Sequence, residues 1–128
     1  MIRRIVLAAV AAAVFSLPAL ADGVAAGGEQ VFKKCGACHE IGEGAKNKVG
    51  PNLTGVVGRT AGTAPDFKYS KAMQEAGEGG LVWSNETLEK YLASPKDFVP
   101  HNKMAFAGLK KEDDIENVIA YLDTFSSK

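Results

Sequence analysis

Two cysteines, two histidines and one tryptophan are all that a chain of 128 residues offers of those types. So little cysteine excludes a disulfide framework, and Cys35 and Cys38 stand so close that a bridge between them would restrain the unfolded chain very little. Charge of one sign is also not in excess, with 15 Lys and Arg against 15 Asp and Glu. That balance argues against a nucleic-acid binder. No alternation of apolar and polar residues is sustained enough to read as a set of strands, and no repeat or low-complexity tract is present. With 46% hydrophobic and 23% charged residues, the chain has the composition of a folded globular domain rather than a disordered one.

Long apolar runs are confined to the N-terminus. MIRRIVLAAVAAAVFSLPALA, residues 1–21, joins Arg3 and Arg4 to an uncharged stretch closing in Ala19-Leu20-Ala21, the pattern of a cleavable secretory signal. A retained anchor is the competing reading, because the run nears the length of a membrane-spanning helix. Pro18 and the small residues after it favour cleavage. Removing 21 residues from 128 leaves 107, Asp22 to Lys128, enough for one domain. The leader holds two of the 15 basic residues and no acid, so the remainder has 13 basic against 15 acidic residues, a net charge of −2. The expected product is a periplasmic domain, residues 22–128, with no stable membrane insertion after cleavage.

Helical periodicity appears in four places. Val31, Cys35 and Cys38 fall at i, i+4 and i+7 within Val24 to His39, with Phe32 flanking them. Short helices are expected at Ser70 to Ala76 and at Ser84 to Ala93, the second capped by Ser84 or Asn85 and stopped by Pro95. A final helix from Lys111 to Phe125 buries Ile115, Val118, Ile119, Leu122 and Phe125 on one face. Between these lie two irregular segments, the glycine-rich Glu40 to Pro65 and the proline-framed Ser94 to Gly108. The fold class is therefore all-α, with short helices and long loops. Such helices fill a core poorly by packing on one another, and a large apolar cofactor for the loops to wrap would make up the deficit.

What is present in place of a disulfide framework is KKCGACHEIG, residues 33–42, with His39 directly behind Cys38. Four chemistries compete for it: a disulfide, half a zinc site, a redox dithiol and covalent haem attachment. Structural zinc wants four ligands, and beyond Cys35, Cys38 and His39 the chain adds only the distant His101. A thioredoxin-like dithiol belongs near a βαβ unit, which this pattern lacks. Covalent haem attachment is what C-x-x-C-H signals: two thioethers hold one edge of the macrocycle, and His39 is carried under the iron as its axial ligand. The candidates for the other axial position are Met73, Met104 and His101. Met73 sits in a helical stretch, where methionine is commonly core filler. The irregular VPHNKMAFAG segment leaves its backbone free to aim Met104 at a cofactor, which favours Met104 without removing the other two.

KKCGACH, KVGPNLTGVVGRTAGT, FKYSKAM, LVWSNETLEKYLASPKDFVP and NKMAFAGLKKEDDIENVIAYL resemble, in one order over nearly all of residues 22–128, the class I cytochromes c, the mitochondrial form and its soluble bacterial relatives. The resemblance implies the cytochrome c fold around one haem c, with His39 and Met104 as the two iron ligands. It implies that the Pro51 carbonyl accepts the His39 ring proton, that Arg59, Tyr69, Ser70 and Trp83 serve the buried haem propionate, and that Tyr91 lies beside the methionine ligand. Gly28 and Phe32 are expected to meet Tyr121 and Leu122 where the terminal helices cross. Two positions depart from the family. His101 stands where glycine is usual, and histidine tolerates a left-handed backbone better than most residues. Met73 stands where the mitochondrial form has asparagine.

The resemblance also implies a role for Lys34, Lys46, Lys48, Lys96, Lys103, Lys110 and Lys111, which match positions ringing an exposed haem edge. Taken singly, each would be an ordinary surface lysine. Together they would steer an acidic partner and release it again. The expected function is that of a soluble, monomeric, non-enzymatic carrier of single electrons through a low-spin haem. Its expected partners are acidic docking faces of a quinol-oxidising complex, a terminal oxidase, a photosynthetic reaction centre, or a periplasmic reductase or dehydrogenase. The alternatives are a haem peroxidase or small-ligand sensor with a labile distal ligand, and a redox subunit held permanently in a larger complex.

Overall fold

The apolar spacing that begins at Val31 continues as a helix only to Phe32. In the computed structural model, which describes residues 10–14 and 23–126, α1 spans Ala25–Phe32. The expected helical path to His39 is replaced by successive turns. The Phe32 carbonyl accepts the N–H groups of Cys35 at 2.7 Å and Gly36 at 2.9 Å, and the Cys35 carbonyl accepts those of Cys38 at 3.0 Å and His39 at 2.9 Å. Gly36 accounts for part of this, since glycine in a helix interior costs about 1 kcal/mol relative to alanine. The leader expected over residues 1–21 lies outside the described residues apart from 10–14, which form no regular element.

Three of the four further helices form where the sequence places them, and a single turn, not expected, makes the fourth. Ser70 accepts the Met73 N–H and opens α2 (Lys71–Glu78), which runs two residues beyond the expected Ala76. Ser84 opens α3 (Asn85–Ala93) through a reciprocal pair with Thr87: the Ser84 hydroxyl accepts the Thr87 N–H at 3.1 Å and the Thr87 hydroxyl accepts the Ser84 N–H at 2.8 Å. Pro95 ends α3 and also starts a single turn, α4 (Pro95–Phe98), because the first helical position needs no N–H. The last helix, α5 (Glu112–Asp123), carries Glu112, Asp113 and Asp114 in its first turn, where negative charge meets the positive end of the helix dipole. Among the described residues the only β pairing is an isolated antiparallel bridge between Thr60 and Val82, so the fold is all-α.

Helix α1 crosses α5 at close range, and α3 packs against both α4 and α5. The approach depends on Gly28, where a Cβ would fall onto the Asn117 carbonyl and within 2.6 Å of the Tyr121 Cβ. Above this point Val24 donates its N–H to the Asn117 side chain at 2.8 Å. Below it the Phe32 and Tyr121 rings meet at 5.5 Å. Val31, Leu88, Ile115, Val118, Ile119 and Leu122 form the buried centre of this packing. The paired segments around Thr60 and Val82 hold a second corner, with Trp83 N–H on the Arg59 carbonyl at 2.9 Å and Gly58 N–H on the Trp83 carbonyl at 2.7 Å. That pairing brings Arg59 and Trp83, 24 positions apart in the chain, to one end of the interior.

Candidate functional site

Helices α1, α3 and α5 and the two long loops do not close on one another. They surround a cavity of about 500 Å³, the space that short helices leave when their apolar faces have too little to bury against. Cys35, Cys38 and His39 border it on one side, and Phe32, Leu53, Val56, Leu88, Val118 and Leu122 supply apolar wall.

The turns after α1 present His39 to this space, and the loop that follows fixes its ring. His39 Nδ1 donates to the Pro51 carbonyl at 2.8 Å, which assigns the tautomer and leaves Nε2 as the basic nitrogen. Gly50 lies against the ring, with an added Cβ falling 2.7 Å from Nδ1, and its N–H is tied to the Cys38 carbonyl at 2.8 Å. A side chain at position 50 would push the imidazole away. Burial lowers the His39 pKa, the Pro51 bond opposes that, and the Lys48 charge reinforces it. The ring is thus held neutral, as a metal ligand must be. Burial likewise pushes the Cys35 thiol up, against the attraction of Lys34 and with the help of Cys38. A raised thiol pKa is the opposite of what a reactive dithiol needs. Among the described residues no three His, Cys, Asp or Glu side chains gather as a metal cluster, which leaves zinc without a ligand set.

Of the three candidate distal ligands, Met73 and Met104 border the cavity, whereas His101 is exposed. Met73 is 9% exposed within the core. The Met104 sulfur accepts the Tyr91 hydroxyl at 3.8 Å. Tyr91 is itself buried, which raises its hydroxyl to about pKa 12, and its ring lies 4.7 Å from that of Trp83. His101 takes up a left-handed backbone, φ 66°, in a turn closed by the Asn102 N–H on the Val99 carbonyl at 3.2 Å. Histidine therefore occupies a turn position that favours glycine.

Arg59, Tyr69, Ser70 and Trp83 all border the same cavity. Arg59 donates to the carbonyls of Thr54 at 3.2 Å and Asn52 at 3.3 Å. Tyr69 and Ser70 accept backbone N–H groups from Ala64 and Met73, so each hydroxyl keeps its own proton to donate. The seven lysines singled out from the sequence are exposed. Lys34 and Lys103 border the cavity, and so does Lys68, which sequence reasoning passed over. Lys48 and Lys96 extend to the carbonyls of Gly36 and Asn102. Val49, also on this border, is 79% exposed. Asn102 was passed over too. It is 5% exposed, and the signal that could have found it is its place two residues before Met104, the spacing at which an asparagine oxygen caps a following N–H.

These features define a class: a helical protein built around a covalently attached haem. The apolar walls suit the macrocycle, the spare donors of Tyr69, Ser70 and Arg59 suit its carboxylates, Cys35 and Cys38 suit its thioether edge, and the neutral imidazole suits its iron. Comparison with known proteins agrees. The family model described as Cytochrome c matches residues 25–126. Cytochrome c2 of Afifella marina is 56% identical over 102 residues, covering 80% of this chain and 82% of that protein. Cytochrome c-550 of Ancylobacter novellus is 51% identical over 100 residues, 78% of this chain and 94% of that one. The structure of cytochrome c2 from Rhodospirillum centenum superposes with a TM-score of 0.79 at 45% identity, covering 82% of this chain and all of that one. The chain belongs to the cytochrome c family, and it carries one covalently bound haem c. Among the described residues no helix is long and apolar enough to cross a membrane.

Proposed function

We propose that the chain is a diffusible one-electron carrier, exported by its leader at residues 1–21 and working as a monomeric periplasmic domain, residues 22–128. When bound, the haem supplies a reversible one-electron couple at its iron. The observation that carries the reading is a pair of oriented side chains on one cavity, His39 and Met104, each of a type that can ligate iron. His39 is fixed through Pro51 with Nε2 free, and Met104 is fixed through Tyr91. With His39 and Met104 both engaged, no position is left for oxygen, peroxide or substrate. A thioether ligand also raises the reduction potential relative to a second imidazole or a thiolate. Cys35 and Cys38 fix the macrocycle edge, and Arg59, Tyr69, Ser70 and Trp83 receive the propionate, whose burial would otherwise be costly.

Lys34, Lys68 and Lys103 at the cavity border support a basic docking face, with Lys46, Lys48, Lys96, Lys110 and Lys111 completing it. Acidic faces on a quinol-oxidising complex, a terminal oxidase, a reaction centre or a periplasmic reductase or dehydrogenase fit that surface. Relatives named cytochrome c2 and cytochrome c-550 support the carrier reading. Spectroelectrochemical titration of the purified holoprotein tests it, with one reversible electron per chain and negligible peroxide turnover expected. Rapid peroxide turnover, or rapid carbon monoxide binding by the reduced protein, would instead favour a peroxidase or sensor with an open iron position.

A further inference from the structure

The segment that carries Met104 has little backbone bonding of its own. Among the described residues, the Met104 N–H is bonded by one group, the Asn102 side-chain oxygen at 2.9 Å. The same carboxamide donates both its protons, to the Pro95 carbonyl at 2.9 Å and the Val99 carbonyl at 2.8 Å. The Asn102 carbonyl in turn accepts Lys96 Nζ at 2.6 Å. One buried side chain therefore ties both ends of α4 to the backbone of Met104. The turn it closes contains His101 at φ 66°, a conformation that persists in a residue other than glycine only where the surroundings hold it in place.

We propose that Asn102 is the positioning residue for Met104, holding its thioether against the iron and setting how readily that position opens to an external ligand. The inference rests on Met104 as the distal ligand and concerns the chain's own device for keeping it there. Asparagine suits the task because it offers two donors and an acceptor in one plane. Threonine can supply one donor and a weaker local acceptor, and leucine keeps much of the volume while supplying neither. Opening that exposes the Met104 N–H to water loses one intramolecular hydrogen bond fewer in Asn102→Leu, so the open form gains population by up to about tenfold.

The test uses the ferric holoprotein, with the sulfur-to-iron charge-transfer absorption and the rate of cyanide binding as readouts. Asn102→Leu is expected to weaken the absorption and to speed cyanide binding by up to about tenfold, and Asn102→Thr to restore part of both. Ile119→Val, a core truncation in α5, controls for general loss of stability and is expected to leave both readouts unchanged. Unaltered absorption and cyanide rate in Asn102→Leu would overturn the positioning role while leaving Met104 as ligand. Equal acceleration in Ile119→Val at matched stability loss would also overturn it, since the effect would then be merely structural. A wild-type protein without the absorption would remove Met104 ligation and the proposal with it.

Discussion

Replacing Gly28 with alanine tests the helix crossing on which the rest of the packing depends. The new Cβ would fall onto the Asn117 carbonyl and within 2.6 Å of the Tyr121 Cβ, so backbone blocks it on one side and the root of a side chain on the other. Neither can turn aside. Restoring ordinary contact requires α1 and α5 to separate by about 1.5 Å, which loosens Val31 against Ile115, Val118 and Leu122, all buried at this interface. Overpacking of this kind costs about 1–3 kcal/mol, and the upper end applies where the obstacle is main chain. Alanine returns about 1 kcal/mol through helix propensity, leaving a net loss of about 2 kcal/mol and a fall of about 8–16 °C in the midpoint of thermal unfolding. Gly27 provides the contrast. Its nearest neighbour is the Asn117 side-chain nitrogen at 2.9 Å, the far end of a side chain that can shift, so Gly27→Ala should lie within about 1 kcal/mol of the parent. Both variants can be followed by far-ultraviolet circular dichroism of the holoprotein. Equal midpoints for Gly27→Ala and Gly28→Ala would refute the close crossing.

Other consequences follow from single groups. His101→Gly removes a left-handed histidine and should raise stability by about 1 kcal/mol by denaturant titration, the relief of strain exceeding the added freedom of the unfolded glycine. Tyr91→Phe withdraws the hydrogen bond on the Met104 sulfur; with Met104 as the proposed ligand, that makes it a better donor to the oxidised iron and should lower the reduction potential by about 20–40 mV for a bond of about 0.5–1 kcal/mol. The same variant has a pH signature. Burial raises the Tyr91 hydroxyl from 10.0 to about 12, so the folded form keeps a proton that the unfolded form releases first. The associated stability is complete below pH 10 and is lost as pH rises towards 12, and Tyr91→Phe should flatten that part of the denaturation profile. Electron exchange with an acidic partner protein should slow as ionic strength rises, as stopped-flow traces would show.

Much of the helical layout was legible because it depends on local rules. Ser70 and Ser84 cap the helices they precede, and the apolar face of α5 follows its spacing as far as Leu122, whereas Phe125 lies beyond the end of the helix and is half-buried. Local rules failed where one residue serves two elements. Pro95 reads as a stop for α3, yet it is also the first residue of α4. Val31, Cys35 and Cys38 share a helical spacing, but the backbone leaves the helix after Phe32 and reaches His39 by tighter turns. In the site, CxxCH was legible from its own chemistry, whereas Arg59, Tyr69, Ser70 and Trp83 were legible only through resemblance, because nothing in their spacing places them on one cavity. Asn102 was hidden for a different reason. An asparagine in an irregular segment reads as solvent-exposed turn, and only the fold reveals that it is buried with its donors on α4 and its acceptor on Met104.

The ferric near-infrared spectrum tests His39 and Met104 ligation most directly when the two methionines that border the cavity are compared. The sulfur-to-iron charge-transfer absorption should be present in the parent, persist in Met73→Leu and vanish in Met104→Ala. Its absence from the parent, or its loss in Met73→Leu with retention in Met104→Ala, would contradict Met104 as the residue that closes the iron.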